Sequence, residues 1–254
     1  MNSYNIPNEW VGKKINVALV GCGGTGSEML DELYRIHYLL TAIGGSGIHL
    51  AAYDPSNVSL ANIGRQRFWP CDIGLNKAEV LINRINSFAG IDWLYSDHAF
   101  TKDEIDSYDI IITCVDIPSI RVEIGQWKNR SNQYSKKNRL WIDCGNDTHQ
   151  GNVVTGHLEA EEDESCVLPN VFDLYPQLAT MKDDKSNSCS TEEAISKQDF
   201  GIGRSVAREG ANMLWSLLRY GKLTYHCSFI DIRNGTVNPL NIDHEQWKLF
   251  GYNP

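Results

Sequence analysis

The 254-residue chain has no apolar run long enough to span a bilayer. Its first residues, "MNSYNIPNEWVGKK", lack the charged stretch followed by an apolar stretch that marks a secretory leader, so a cytoplasmic protein is expected. It has no surplus of positive charge. The net charge is −9 and the pI about 5.2, a balance that speaks against nucleic-acid and anionic-membrane partners. Paired cysteine spacings are missing as well. The 7 cysteines are an odd, scattered set with no C-x-x-C, so reduced thiols are expected, with neither a disulfide framework nor a structural zinc. No internal repeat and no low-complexity linker interrupts the chain. What remains is an ordinary globular composition, 42% hydrophobic and 22% charged, which suits one domain over residues 1–254.

The first half alternates two kinds of segment. Lys14–Val20, Ile48–Asp54, residues 91–96, Asp109–Val115 and Arg139–Gly145 read as strands. Thr25–Ala42, with Met29, Leu33, Ile36 and Leu40 on one stripe, and Asn76–Phe88 read as helices. Such alternation predicts an α/β fold, a Rossmann-like doubly wound and mostly parallel sheet with helices on both faces. The second half differs. After a strand-like and then acidic stretch, Pro169–Ser190 is long, polar and irregular, which predicts a crossover loop. Glu192–Arg219 carries a helical pattern with Ala211, Leu214 and Leu218. Residues 225–242 form a β-hairpin pattern with Asn234–Gly235 at the turn.

The chemistry concentrates between the first strand and the first helix. Gly21, Gly23 and Gly26 satisfy G-x-G-x-x-G, and Gly24 makes the string G-x-G-G-x-G, a turn whose backbone can approach phosphate at a helix N-terminus. Asp54 ends the next strand, where a carboxylate can accept bonds from ribose hydroxyls. An empty structural turn and a nicotinamide-dependent oxidoreductase would both show this much. "ANIGRQ" then supplies Asn62, Arg65 and Gln66, and Lys77 opens the second helix. Cations beside a glycine turn serve a triphosphate whose pyrophosphate must leave with developing negative charge, a demand that hydride transfer does not make. Arg67 reads as a solvated surface charge.

At these residues the chain resembles the ThiF/MoeB/HesA family, relatives of ubiquitin-activating enzymes. The glycine string, Asp54, "ANIGRQ", Lys77 and "TCVD" with Asp116 follow that family's order through about residues 15–150. The long first helix, its Gly-Gly-Ser-Gly break and "SCST" are similar to the ThiF-like member of the plasmid-associated PRTRC system. The resemblance implies a ThiF-type adenylation domain with a nucleotide-binding half at about 12–150 and a carrier-protein and cysteine-loop half at about 151–254. It implies ATP and magnesium, with Asp54 on the ribose, the glycine turn, Arg65 and Lys77 on the polyphosphate, Asn62 and Gln66 nearby, and Asp116 on the metal. It implies adenylation of the C-terminal glycine carboxylate of a small ubiquitin-like carrier protein, a homodimer, and a sulfur-handling cysteine at Cys189. A catalytically silent scaffold for such a carrier is the alternative. The chain departs from the family at two points. Relatives lend an arginine from an N-terminal helix, whereas the first arginine here is Arg35, leaving Lys13 or Lys14 as substitutes; and Ile117 follows Asp116 where Asn is usual. Arg121 is read equally as a structural ion-pair partner or a catalytic group, and Cys22 and Cys114 as core residues.

Overall fold

Ile15–Val20 (β2) and Ile48–Tyr53 (β3) each bury their last four side chains, because helices and loops cover the sheet they share. In the computed structural model, residues 2–127, 137–162, 164–181, 183 and 198–253 are described. A short strand, Tyr4–Asn5 (β1), precedes β2. Then come α1 (Gly24–Ala42), β3, α2 (Lys77–Ala89), β4 (Leu94–Ser96), β5 (Ile110–Thr113), α3 (Pro118–Gly125) and β6 (Arg139–Asn146). The second half adds β7 (Gln150–Glu159), α4 (Val171–Leu174), α5 (Ile202–Tyr220), β8 (Lys222–Leu223), β9 (Tyr225–Asp231), β10 (Thr236–Asn241) and α6 (His244–Lys248).

The main sheet has 8 strands in the order β10-β9-β7-β6-β5-β2-β3-β4. Strands β4, β3, β2, β5 and β6 run parallel, and β7, β9 and β10 continue the sheet antiparallel. The chain steps outward from β2 through β3 to β4, then returns to the other side of β2 as β5. Right-handed crossovers therefore place α1 and α2 on one face and α3 on the other. The order reverses between β2 and β5, and ligands of such sheets sit at the carboxyl ends of the strands at that point. α1 packs against α5, where Gly210 comes so close that a Cβ on it would lie 2.8 Å from Met29 Cε.

Three boundaries differ from the sequence reading. The strand expected over Asp109–Val115 is confined to Ile110–Thr113. Cys114 is only partly buried, so it is not the core residue expected, and the chain leaves the sheet there toward the site. Of the helix expected over Glu192–Arg219, the described residues show Ile202–Tyr220, preceded by Gly201 with φ +92°, a left-handed conformation outside the helix; 191–197 lie outside the described residues. The stretch from Pro169 is ordered in its first part: Asn170 caps α4 by accepting from the amides of Phe172 and Asp173, and a 3-10 turn follows at Pro176–Thr180. The pairing of β1 with β8 had no period to reveal it.

Histidine plays an unanticipated part. His157 on β7 is buried; its Nδ1 accepts from the Leu168 amide at 2.9 Å and its ring meets Tyr4 edge-on. His226 is buried too, and its Nε2 accepts from Trp247 Nε1 at 2.7 Å, which fastens α6 to the sheet. Burial pushes both imidazoles down to about 4. Unfolded, each would bind a proton below its ordinary value near 6.5, so the unfolded state takes up protons that the folded state refuses. Stability is therefore expected to be intact above about pH 6.5 and to fall as the pH drops toward 4, by about 3 kcal/mol per histidine. Urea unfolding at a series of pH values measures it; a curve flat across that window would refute the assignment.

Candidate nucleotide site

A cleft of about 1070 Å³ opens at the sheet reversal and runs from the glycine turn to the β9–β10 hairpin. The glycines divide their tasks. Gly21 adopts φ +91°, and a Cβ there would lie 2.8 Å from the Cys114 carbonyl oxygen. At Gly26 a Cβ would overlap the Gly21 carbonyl, only 1.8 Å away. These two let the turn close on itself and on β5. Gly23 and Gly24 line the cleft and leave its side of the backbone open. Gly26→Ala is therefore expected to lower Tm by about 6–12 °C, the scale of an overpacking cost of about 3 kcal/mol. Gly23→Ala is expected to leave Tm near wild type and weaken nucleotide. Differential scanning calorimetry with nucleotide titration separates the two, and equal Tm values would show that Gly26 has no packing role.

No side chain caps α1, whose N-cap is Gly23, so its first amides face the cleft as a partial positive charge. Thr25, in the first turn, donates through Oγ1 to Asn146 Oδ1 at 2.8 Å and ties the helix start to β6. Asp54 is buried. Its Oδ2 accepts from the Cys22 amide at 2.7 Å and its Oδ1 from the Ser56 amide at 2.8 Å. The carboxylate thus braces the glycine turn and lines the cleft as well. Asn76 donates to the Asp54 carbonyl at 2.7 Å and caps α2 through the Glu79 amide. Lys77 is the first residue of α2, where a cation meets the positive end of the helix dipole at a cost of about 0.3–1 kcal/mol. An anion in the cleft removes that cost.

Arg65 lines the cleft half-buried. Burial pulls its guanidinium below the ordinary arginine value and the charge of Asp116 opposes the shift. Its Nη1 donates to Gln198 Oε1 at 2.8 Å, whereas its buried Nε has no partner among the described residues. Gln66 lines the cleft beside it, with a buried Oε1 that is likewise unpartnered among the described residues. Asn62 does not reach the cleft. Its Oδ1 accepts from the Ser59 amide at 2.8 Å, and its carbonyl accepts from the amides of Arg65 and Gln66, so it holds the turn that presents both. Arg67 points away, toward Glu28 and Asp31 on α1.

Asp116 is exposed on the turn after β5 and lines the cleft. It does not cap α3, where Ile117 is the N-cap and Pro118 the first residue. Among the described residues no three His, Cys, Asp or Glu side chains converge as a metal-binding group. A single open carboxylate fits magnesium, which keeps most of its water and shares phosphate oxygens. Arg121 is buried and paired. Its Nε donates to Asp143 Oδ1 at 2.7 Å; the same oxygen accepts from Thr113 Oγ1, which in turn accepts from Trp141 Nε1 at 2.8 Å. Burial works against the Arg121 charge, but Asp143 outweighs it and raises the guanidinium above its ordinary value. Tyr53, Phe100 and Tyr108 form an aromatic cluster, with the Tyr53 and Tyr108 hydroxyls 2.6 Å apart, and Tyr53 and Phe100 face the cleft near Asp54. Sequence reasoning missed this cluster, Gln198 and Asp143, none of which lies in the motif. Lys13 pairs with Asp109 at 2.6 Å at the opposite end of the strands, so it does not reach its own chain's cleft. Cys189 lies outside the described residues.

Comparison with known proteins agrees with this frame. Ubiquitin-like modifier-activating enzyme 5 of Branchiostoma floridae is 27% identical over 243 residues, 85% of this chain and 53% of that protein. The Drosophila grimshawi enzyme is 29% identical over 161 residues, 56% of this chain and 36% of its own length. The chain thus spans about half the length of these relatives or less. Among solved structures, PaaA aligns at TM-score 0.59 and 15% identity, covering 91% of this chain and 65% of that one. E. coli MccB with ATP aligns at TM-score 0.59 and 16% identity, covering 91% and 64%. These two share the fold. The ThiF family model matches residues 12–246, and with the glycine turn, Asp54, Arg65, Lys77 and Asp116 gathered on one cleft, the chain belongs to the ThiF family.

Proposed function

We propose that the protein activates a carboxylate by adenylation. ATP binds with its base against Tyr53 and Phe100, its ribose at Asp54 and its polyphosphate across the uncapped start of α1, Arg65 and Lys77. Asp116 holds magnesium, which shields phosphate charge when bound. The attacking group is the C-terminal glycine carboxylate of a small ubiquitin-like protein; it enters from the hairpin end of the cleft, bonds to the α-phosphorus and displaces pyrophosphate. One observation carries this reading: the open helix start, Arg65 and Lys77 share a single cleft, more positive charge than a redox cofactor requires. Cys189 is the proposed acceptor thiol, taking the acyl group from the adenylate with release of AMP. The working assembly is a cytoplasmic homodimer of one adenylation domain per chain, and the plasmid-associated PRTRC type is the proposed subgroup. A silent scaffold is the second reading, favoured by the place of the first arginine of the sequence: Arg35 lies within α1 and pairs there with Asp31 and Glu32.

ATP–pyrophosphate exchange with and without a candidate carrier distinguishes enzyme from scaffold. Carrier-dependent exchange is expected. Binding of the carrier without exchange would leave only the scaffold, and NAD binding without ATP binding would overturn the nucleotide assignment. Cys189→Ala is expected to keep exchange and lose a thiol-reducible adduct on non-reducing gels.

A further inference from the structure

We propose that Gln198 is a built-in placeholder for the nucleotide's phosphate, occupying the anion position until the nucleotide displaces it. This rests on the ATP assignment above and goes beyond it. The side-chain oxygen of Gln198 accepts from Arg65 Nη1 at 2.8 Å and lies 3.4 Å from where a Cβ on Gly24 would be, over the first residue of α1. An oxygen there has the two neighbours a phosphate oxygen would choose, a guanidinium and an uncapped helix start. It cannot share that volume with a polyphosphate.

The surroundings are arranged for exchange. The next residue is held on both sides: the Asp199 amide donates to the Thr148 carbonyl at 2.7 Å, and Arg233 Nε donates to Asp199 Oδ2 at 3.0 Å. With the backbone fixed, the amide leaves by rotating its side chain. Among the described residues Arg65 Nε and Gln66 Oε1 stay buried and unpartnered beside the placeholder, so one neutral acceptor leaves these local donors and acceptors incompletely satisfied. Arg65, Gln66, Gly24 and Gln198 also form the wall between the cleft and a second cavity of about 790 Å³ lined by Tyr34, Phe68, Trp69 and Phe88, and displacement of Gln198 opens that wall.

Calorimetric titration of the full chain with ATP, inorganic tripolyphosphate and adenosine tests the placement. Gln198→Ala removes the competitor and should bind ATP and tripolyphosphate about 3- to 10-fold tighter, the scale of the net contribution of one typical hydrogen bond, with adenosine unchanged. Gln198→Glu pairs more strongly with Arg65 and repels phosphate, so both anions should bind about 10-fold more weakly or worse, again with adenosine unchanged. In an Arg65→Ala background the effect of Gln198→Ala on tripolyphosphate should vanish. Weaker anion binding by Gln198→Ala would overturn the proposal by making the amide a phosphate ligand, and an unchanged ratio of ATP to adenosine affinity across the variants would overturn it too. If wild type binds ATP and these shifts are absent, only the placeholder fails. If wild type binds neither anion, the ATP assignment fails with it.

Discussion

Arg65→Ala is expected to slow ATP–pyrophosphate exchange by about 10²–10³-fold, equivalent to about 2.7–4 kcal/mol of lost transition-state stabilisation. The guanidinium lines the cleft, is half-buried and has an Nε with no partner among the described residues. A donor held this way is organised before charge develops on the leaving pyrophosphate, and water entering the truncated site would not reproduce its geometry. The effect should appear in kcat as well as in KM for ATP, because the proposed contact holds the polyphosphate in the ground state and strengthens as charge develops on the leaving pyrophosphate. Arg65→Lys keeps the charge and loses the fork, so it should recover only part of the rate. Exchange within twofold of wild type in Arg65→Ala would remove the residue from the mechanism.

The second large effect concerns stability. Arg121→Ala leaves the Asp143 carboxylate, 2% exposed, without its cation, and unfolding free energy is expected to fall by about 3–5 kcal/mol. Truncating both partners should cost less than the sum of the single changes, since the double variant buries no unpaired charge. Asp143 also orders Thr113 and, through it, Trp141, so the penalty spreads to the ends of β5 and β6 that floor the cleft. Urea denaturation of the two single variants and the double variant provides the measurement. A loss below about 1 kcal/mol in Arg121→Ala would show that water or another group compensates the carboxylate.

Why the motif was legible and Gln198 was not follows from distance along the chain. Gly21 to Gly26, Asp54, Arg65 and Lys77 belong to consecutive strand–turn–helix units, and each local pattern states its own position. Glycine spacing says that a turn is tight, but it does not say which glycine meets phosphate and which meets backbone; the overlap at Gly26 is a matter of three dimensions. Asn62 read as a ligand because it sits beside Arg65, yet its oxygen is consumed by a local cap on Ser59. Asp143 and Gln198 reach the cleft from later segments, and no periodicity announces them. Cys114 looked like a core residue within an apolar run, but the strand ends one residue before it. His226 and Trp247 meet across residues that share no motif, so their bond could not be read from order alone.

The contact between α1 and α5 also sets an order of events during synthesis. All the residues proposed to approach phosphate, from Gly21 to Lys77, leave the ribosome early. Yet Gly203 of α5 lies so close to the start of α1 that a Cβ on it would come within 3.1 Å of the Gly24 carbonyl carbon, at the end of the helix proposed to receive the anion. Until that late segment docks, α1 has an uncovered apolar stripe at Met29 and Leu33 and its first turn lacks a neighbour. A nascent chain therefore carries its glycine motif long before the cleft around it is complete, and the proposed nucleotide site is assembled only with the last third of the polypeptide.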